Sequence, residues 1–167
     1  VIRLGSFSKG LAPGLRLGYI VAPAAIIDKL VQIKQATDLH SPTVTQMAVY
    51  QAVKDGFLQA HLPAVRDLYK RQCQYMLDAM DKYFPDGVKW TRPEGGMFLW
   101  VTLPEHMDSQ ELLYKAVERK VAFVPGEPFY AASKPQRNTF RLSFVTVSED
   151  RIREGIEILG ELIREQL

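Results

Sequence analysis

A single cysteine, Cys73, stands in 167 residues, so no intrachain disulfide framework can hold this chain together. Stability has to come from a packed core. No apolar run approaches the twenty residues that a membrane-spanning helix needs, and lysines and arginines form no long block. The 21 basic and 19 acidic residues nearly cancel, to a net charge of +2, and they are interspersed along the chain. This describes a solvated mixed surface, with no charge-driven attraction to nucleic acid or membrane. Histidine is scarce: His40, His61 and His106 lie far apart, at no spacing that suits metal ligation, and none is assigned to a metal or to catalysis. Internal repeats and low-complexity segments are missing too. What remains is ordinary globular composition, 47% hydrophobic and 24% charged, in a length sufficient for one compact core. A soluble, cytoplasmic protein is the expectation.

The chemistry gathers near residue 9. Ser6-Phe7-Ser8-Lys9 is followed by Arg16, within Gly14-Leu15-Arg16-Leu17-Gly18-Tyr19. Gly5, Gly10, Pro13 and Gly14 mark the segment as a loop where backbone can approach a ligand closely. The flanking apolar runs, Val1 to Leu4 and Leu15 to Val21, read as buried strands. Ser-x-Ser-Lys alone is more often an ordinary turn. Here two hydroxyls, an amine and a guanidinium surround one glycine-containing loop, which makes an anion site with an amine in it. Hydroxyls and guanidinium suit a phosphate through charge-assisted hydrogen bonds, and a lysine beside them can form a Schiff base with an aldehyde. An aldehyde that carries a phosphate is pyridoxal 5′-phosphate.

The remaining chain reads as alternating elements. Pro23 opens a helix to about Thr37, with Ile26, Ile27, Leu30 and Ile33 on one face. Ser41-Pro42 looks like a cap followed by a first-turn proline, and Gly56 interrupts before a long helix to about Phe84. In that helix Leu62, Val65, Leu68, Tyr69, Cys73, Met76, Leu77 and Met80 recur at three- and four-residue spacing, which predicts a buried stripe. Val88 to Arg92 and Met97 to Leu103 read as strands joined by Pro93-Glu94-Gly95-Gly96. Asp108 with Glu111 resembles a capping box for a helix to about Arg119, and Val121 to Val124 and Thr139 to Phe144 are further strands. Ser148 caps the last helix, whose buried face holds Ile152, Ile156, Leu159 and Ile163. The stretch from Pro125 to Arg137 is the longest loop candidate. The fold class is therefore α/β, with an α+β part in which a small sheet carries helices on one side.

Four ordered segments resemble one family: Gly5 to Pro23, Pro93-Glu-Gly-Gly-Met-Phe-Leu-Trp100, Val124-Pro-Gly-Glu-Pro-Phe129 and Asn138-Thr-Phe-Arg-Leu-Ser-Phe144. Together they are similar to the fold-type I pyridoxal-phosphate aminotransferases of class I/II, most of all the branch of 2-aminoadipate aminotransferases and MocR-type regulators. The resemblance implies that Lys9 is the Schiff-base lysine and proton carrier, and that Ser6, Ser8, Lys9 and Arg16 hold the cofactor. It places Arg141 on the substrate α-carboxylate, a role that suits a guanidinium fork. Gly95, Gly96, Pro125, Gly126 and Phe129 would shape the pocket wall.

The same resemblance implies transfer of an amino group between an amino acid and a 2-oxo acid, in a homodimer. Its alternatives are the effector domain of a MocR-type regulator and a lyase or decarboxylase on the same scaffold. In the family the lysine lies beyond the middle of the chain, after a large domain that supplies the acidic partner of the pyridine nitrogen, a stacking aromatic and a glycine-rich phosphate turn. Here it is residue 9. The expectation is thus a C-terminal fragment, inactive alone: residues 1–55 as the last strands of the large domain, 56–167 as a long connecting helix and small domain.

Overall fold

A computed structural model describes residues 1–131 and 134–167. Two units divide at the 65/66 bond: Val1–Val65 and Arg66–Leu167.

In the first unit, β1 (Arg3–Ser6) pairs antiparallel with β2 (Gly18–Val21), with Arg3 opposite Val21 and Ser6 opposite Gly18. β2 lies inside its expected apolar run and β1 runs two residues past its own, but the expected burial is overturned: Leu4 is 74% and Val21 58% exposed. A two-stranded ribbon has no neighbouring strands and too little side-chain surface to bury both its faces. The helix α1 (Ala24–Thr37) starts right after Pro23, whose carbonyl accepts from the Ile26 and Ile27 N–H groups. It has the expected length without the expected buried face, since Ile26 and Ile33 are exposed and no residue of the helix is buried. Leu4, Ile20, Ile27 and Leu30 line an open apolar groove beside it.

Helix α2 (Thr43–Val53) is capped one residue later than expected, at Pro42. The Ser41 carbonyl instead accepts from Gln46 Nε2 at 2.8 Å. Gly56, at φ 82°, separates α2 from α3 (Phe57–Tyr83), using a left-handed conformation that glycine reaches without a Cβ penalty.

The apolar stripe of α3 is buried only toward its C-terminal end, at Met76, Leu77, Ala79 and Met80. Leu62, Val65, Tyr69 and Cys73 are half-buried and Leu68 is exposed, so periodicity overstated the buried length. Cys73 packs against the core, and desolvation pushes its thiol up from the usual range.

The second unit is built on an antiparallel sheet ordered β3-β4-β6-β5, from β3 (Lys89–Trp90), β4 (Phe98–Thr102), β5 (Val124–Pro125) and β6 (Thr139–Ser143). Alternation sends Leu99 and Val101 of β4 and Phe140 and Leu142 of β6 to one face, where all four are buried. Against that face pack α3, α4 (Ser109–Glu118) and α5 (Glu149–Arg164), the last through Ile152, Ile156, Leu159 and Ile163 as their spacing predicts. The expected small sheet with helices on one side is the architecture observed.

Three local expectations are corrected. Asp108 caps α4 by accepting from the Gln110 N–H at 2.8 Å, without a reciprocal bond from Glu111. Ser148 stands at the N-cap of α5 in extended conformation but makes no side-chain cap bond. The strand expected from Val121 begins only at Val124, because the Val121 N–H turns back to Ala116 while Lys120 takes a left-handed φ of 62° to end α4.

Gly160 of α5 sits where a Cβ would collide with the Tyr83 carbonyl oxygen and lie 2.9 Å from its carbon. Backbone cannot swing aside as a side-chain tip can. Gly160→Ala is expected to cost about 1–3 kcal/mol as overpacking, read as a lower urea midpoint at unchanged m-value.

A second expectation comes from the β1–β2 ribbon, whose exposed apolar side chains accompany open strand edges. The 167-residue chain should self-associate with rising concentration in light scattering; a monodisperse monomer would contradict this.

Candidate active site

Ser6 closes β1, and its hydroxyl oxygen accepts the Ser8 N–H at 3.1 Å. The Ser6 hydroxyl hydrogen remains free to donate, as does that of Ser8. The Phe7 carbonyl accepts from Leu11 and Ala12, at 2.9 and 3.1 Å, closing a turn that carries Lys9 exposed on its outer side. Phe7 also donates its N–H to Leu17 at 3.1 Å and packs its ring on Tyr19, with centroids 5.6 Å apart. The loop is thereby tied at both ends to the ribbon.

Its return is made by a short 3-10 turn, Pro13–Leu15, that ends on Arg16 at φ 49°, ψ 38°. The left-handed conformation thus falls on an arginine, while Gly10 and Gly14 keep ordinary φ values. Arg16 Nη1 donates to the Pro13 carbonyl at 3.2 Å, which leaves its other N–H groups available. Neither Lys9 nor Arg16 has a carboxylate partner among the described residues. Two free hydroxyls, an unpaired guanidinium and an unpaired amine on one loop are a donor set that fits a phosphate group bearing an aldehyde.

Arg141, the remaining expected site residue, is in the second unit, on β6. It faces away from the core, opposite Trp100 of β4 on one side and Val124 of β5 on the other. Its guanidinium carbon lies 4.0 Å from the centroid of the Phe98 ring and 4.8 Å from that of Phe129. Phe129 belongs to a 3-10 turn, Glu127–Phe129, that begins at Gly126. The Gly126 N–H donates to the Thr139 carbonyl at 2.7 Å, and a Cβ on Gly126 would lie 2.9 Å from Trp100 Cζ2. Glycine is needed there for close approach.

Asn138 closes the end of the β4–β6 ladder: its Nδ2 donates to the Leu103 carbonyl at 2.6 Å, and its own carbonyl accepts the Leu103 N–H at 2.7 Å. Sequence reasoning placed Phe129 in the pocket wall and left Phe98 without a role. The available signal was strand alternation, which puts Phe98 and Trp100 on the face that Leu99 and Val101 do not use.

A left-handed arginine lends itself to a backbone test. Arg16→Gly and Arg16→Val both remove the cation, but only valine must hold a branched Cβ at positive φ. The valine variant should be less stable than the glycine variant by about 1–2 kcal/mol in chemical denaturation.

With this geometry in hand, comparison with known proteins is direct. The family described as Aminotransferase class I and II matches residues 1–159. Aromatic-amino-acid aminotransferase 1 of Thermococcus litoralis is 48% identical over 167 residues, all of this chain and 40% of that protein. The 2-aminoadipate transaminase of Thermus thermophilus is 46% identical over 164 residues, 98% of this chain and 41% of that one. A crystal structure of kynurenine aminotransferase from Pyrococcus horikoshii, in complex with PMP, superposes with a TM-score of 0.95 at 48% identity, covering all of this chain and 41% of its own. The chain thus spans about 40% of the length of the relatives it matches, and over that span it belongs to the class I and II aminotransferases.

Proposed function

We propose that the protein containing this segment transfers an amino group between an amino acid and a 2-oxo acid, using pyridoxal 5′-phosphate held in part by the Lys9 loop. The observation that carries the reading is the Lys9 loop itself: hydroxyls of Ser6 and Ser8, the amine of Lys9 and the guanidinium of Arg16 on one turn, with neither cation paired to a carboxylate among the described residues. When bound, the cofactor supplies an aldehyde for amine exchange and an electron sink for the pair left when the substrate α-proton departs.

The protein's own part is binding, orientation and proton movement. Ser6, Ser8 and Arg16 would hold the cofactor phosphate through charge-assisted hydrogen bonds. Lys9 Nζ would be the amine that holds the cofactor aldehyde, and with that amine free it would serve as the base that takes the proton from the substrate Cα and returns it. Arg141 binds the α-carboxylate through its fork, which orients the Cα–H bond. The names of relatives support aromatic and 2-aminoadipate side chains as substrates to test first.

We assign residues 1–55 to a larger cofactor-holding domain and residues 56–167 to a connecting helix with the small domain. The complete protein is taken to work as a homodimer in the cytoplasm, as the family resemblance and the disulfide-free composition support. The 167 residues alone are taken to be catalytically silent, because the acidic partner of the pyridine nitrogen and the stacking aromatic that the resemblance implies are not among the residues just named. Turnover by the 167-residue chain supplied with pyridoxal phosphate would overturn that statement.

The test uses the full-length protein. Lys9→Ala should abolish amino-acid-dependent turnover together with borohydride-reducible attachment of the cofactor at that residue, because no other amine occupies the loop. Arg141→Lys should retain that attachment while weakening binding of amino and oxo acids by about 2–5 kcal/mol, the range for losing one partner of a desolvated charge pair. Unchanged apparent affinity for every active amino acid would remove Arg141 from the site.

A further inference from the structure

We infer that Phe98 and Phe129 are positioning residues for the substrate carboxylate: they grip the two faces of the Arg141 guanidinium so that only its hydrogen-bonding edge is open. This rests on Arg141 being the carboxylate holder, as proposed above, and it assigns a role to two side chains that carry no polar atom.

The geometry is specific. The guanidinium carbon is 4.0 Å from the Phe98 centroid and 4.8 Å from the Phe129 centroid, both within the range of cation–π attraction. Phe98 reaches it from β4, where it pairs with Ser143, two residues along β6 on the same face. Phe129 reaches it from the 3-10 turn, which is fastened to β6 by the Gly126 N–H on the Thr139 carbonyl at 2.7 Å and closed by the Phe129 N–H on the Gly126 carbonyl at 2.9 Å. Arg137 Nε stands 3.4 Å from Glu127 and its Nη2 3.0 Å from Asp108, a further tie on the same turn. The Phe129 ring is then set by Trp100, edge-on at 5.6 Å and 86°.

Core packing does not account for this arrangement. Phe129 is 50% exposed, so a large ring is held half in water with a cation on its face. Arg141 itself is half-buried and has no ion pair or side-chain hydrogen bond among the described residues. A half-buried charge in that state carries a desolvation cost, and two π-faces offset part of it without consuming any N–H donor. Because all the donors of a guanidinium lie in its plane, blocking both faces leaves a flat fork that matches a carboxylate and little else. Stacking also removes rotamers that the free side chain would sample, so less entropy is lost when the carboxylate arrives.

The experiment uses the full-length holoenzyme and a pair of inhibitors that share a phenylalkyl chain, 3-phenylpropionate and 2-phenylethylamine. Only the first has a carboxylate. Phe129→Leu and Phe98→Leu should each raise the inhibition constant of 3-phenylpropionate roughly threefold to tenfold, as loss of a cation–π contact predicts, and leave that of 2-phenylethylamine unchanged. KM for amino and oxo acids should rise in parallel with little change in kcat, and Phe129→Tyr should restore the original values because its π-face is kept. Phe129 is half exposed, so its leucine variant decides the matter if Phe98→Leu fails to fold.

Equal weakening of both inhibitors would mean that the rings only fill space, and would overturn the inference. An unchanged 3-phenylpropionate constant in the phenylalanine variants, beside a raised one in Arg141→Lys, would overturn it while leaving Arg141 as the carboxylate holder. An unchanged constant in Arg141→Lys as well would remove both.

Discussion

Pairing of β4 with β6 is the constraint on which the second unit depends. Leu99 opposite Leu142 and Val101 opposite Phe140 put four buried side chains on one face of a single ladder. Each is worth about 1.5–3 kcal/mol when removed from water, so a slip of one residue would expose the whole set. The same register fixes the other face without any further specification: if Phe140 and Leu142 point inward, Arg141 must point outward, with Trp100 across from it and Phe98 diagonal to it. Core and candidate site are two sides of one hydrogen-bonded ladder. That coupling is how a sheet of four strands sets the place of Arg141.

How much of this was legible in the sequence depends on the residue. Long periodic segments gave themselves away: the spacing of Ile152, Ile156, Leu159 and Ile163 marks the buried face of the last helix, and all four are buried. Element ends were less legible, because the competing interactions are local. Val121 is β-branched and looks like the start of a strand, yet its N–H closes the end of a helix after a left-handed Lys120, a position where glycine would have announced the turn. Burial in the first unit was illegible for a different reason. The apolar content of Leu4, Ile20, Val21 and Ile33 is real, but burial requires a second surface, and a two-stranded ribbon with exposed side chains does not provide one.

The lysine loop shows the same distinction between composition and conformation. Gly5, Gly10 and Gly14 suggest a flexible turn, but none of them takes a positive φ. Gly5 earns its place by lying under the Tyr19 ring, where a Cβ would collide, and Gly18 by approaching the Gly5 carbonyl oxygen, 2.9 Å from where a Cβ would stand. The strained conformation is assigned instead to Arg16, a residue that gains nothing from it in stability. Backbone strain on a non-glycine residue is found where surrounding structure over-determines it, and the carbonyl of Pro13 together with the β2 start at Gly18 does so here.

The two arginines of the candidate site are held by different physical means. Arg16 is aimed by backbone: a left-handed residue at the end of a 3-10 turn, with one N–H tied to Pro13 and the rest free. Arg141 is held by aromatic contact, its guanidinium carbon 4.0 Å from the Phe98 ring centroid and 4.8 Å from that of Phe129. Among the described residues Arg3, Arg66, Arg71 and Arg164 also lack a carboxylate partner, Arg164 donating to the Tyr83 carbonyl, but five other arginines differ. Arg92, Arg119, Arg137, Arg151 and Arg153 all reach carboxylates, in pairs that are exposed except at Asp108 and that contribute little individually. In a chain with 19 acidic residues, a partner for Arg141 could readily have been placed within reach. Surrounding it with phenylalanine instead keeps its donors uncommitted while limiting the cost of desolvating the charge. An internal carboxylate would stabilise the free protein and would have to be displaced before any external one could bind.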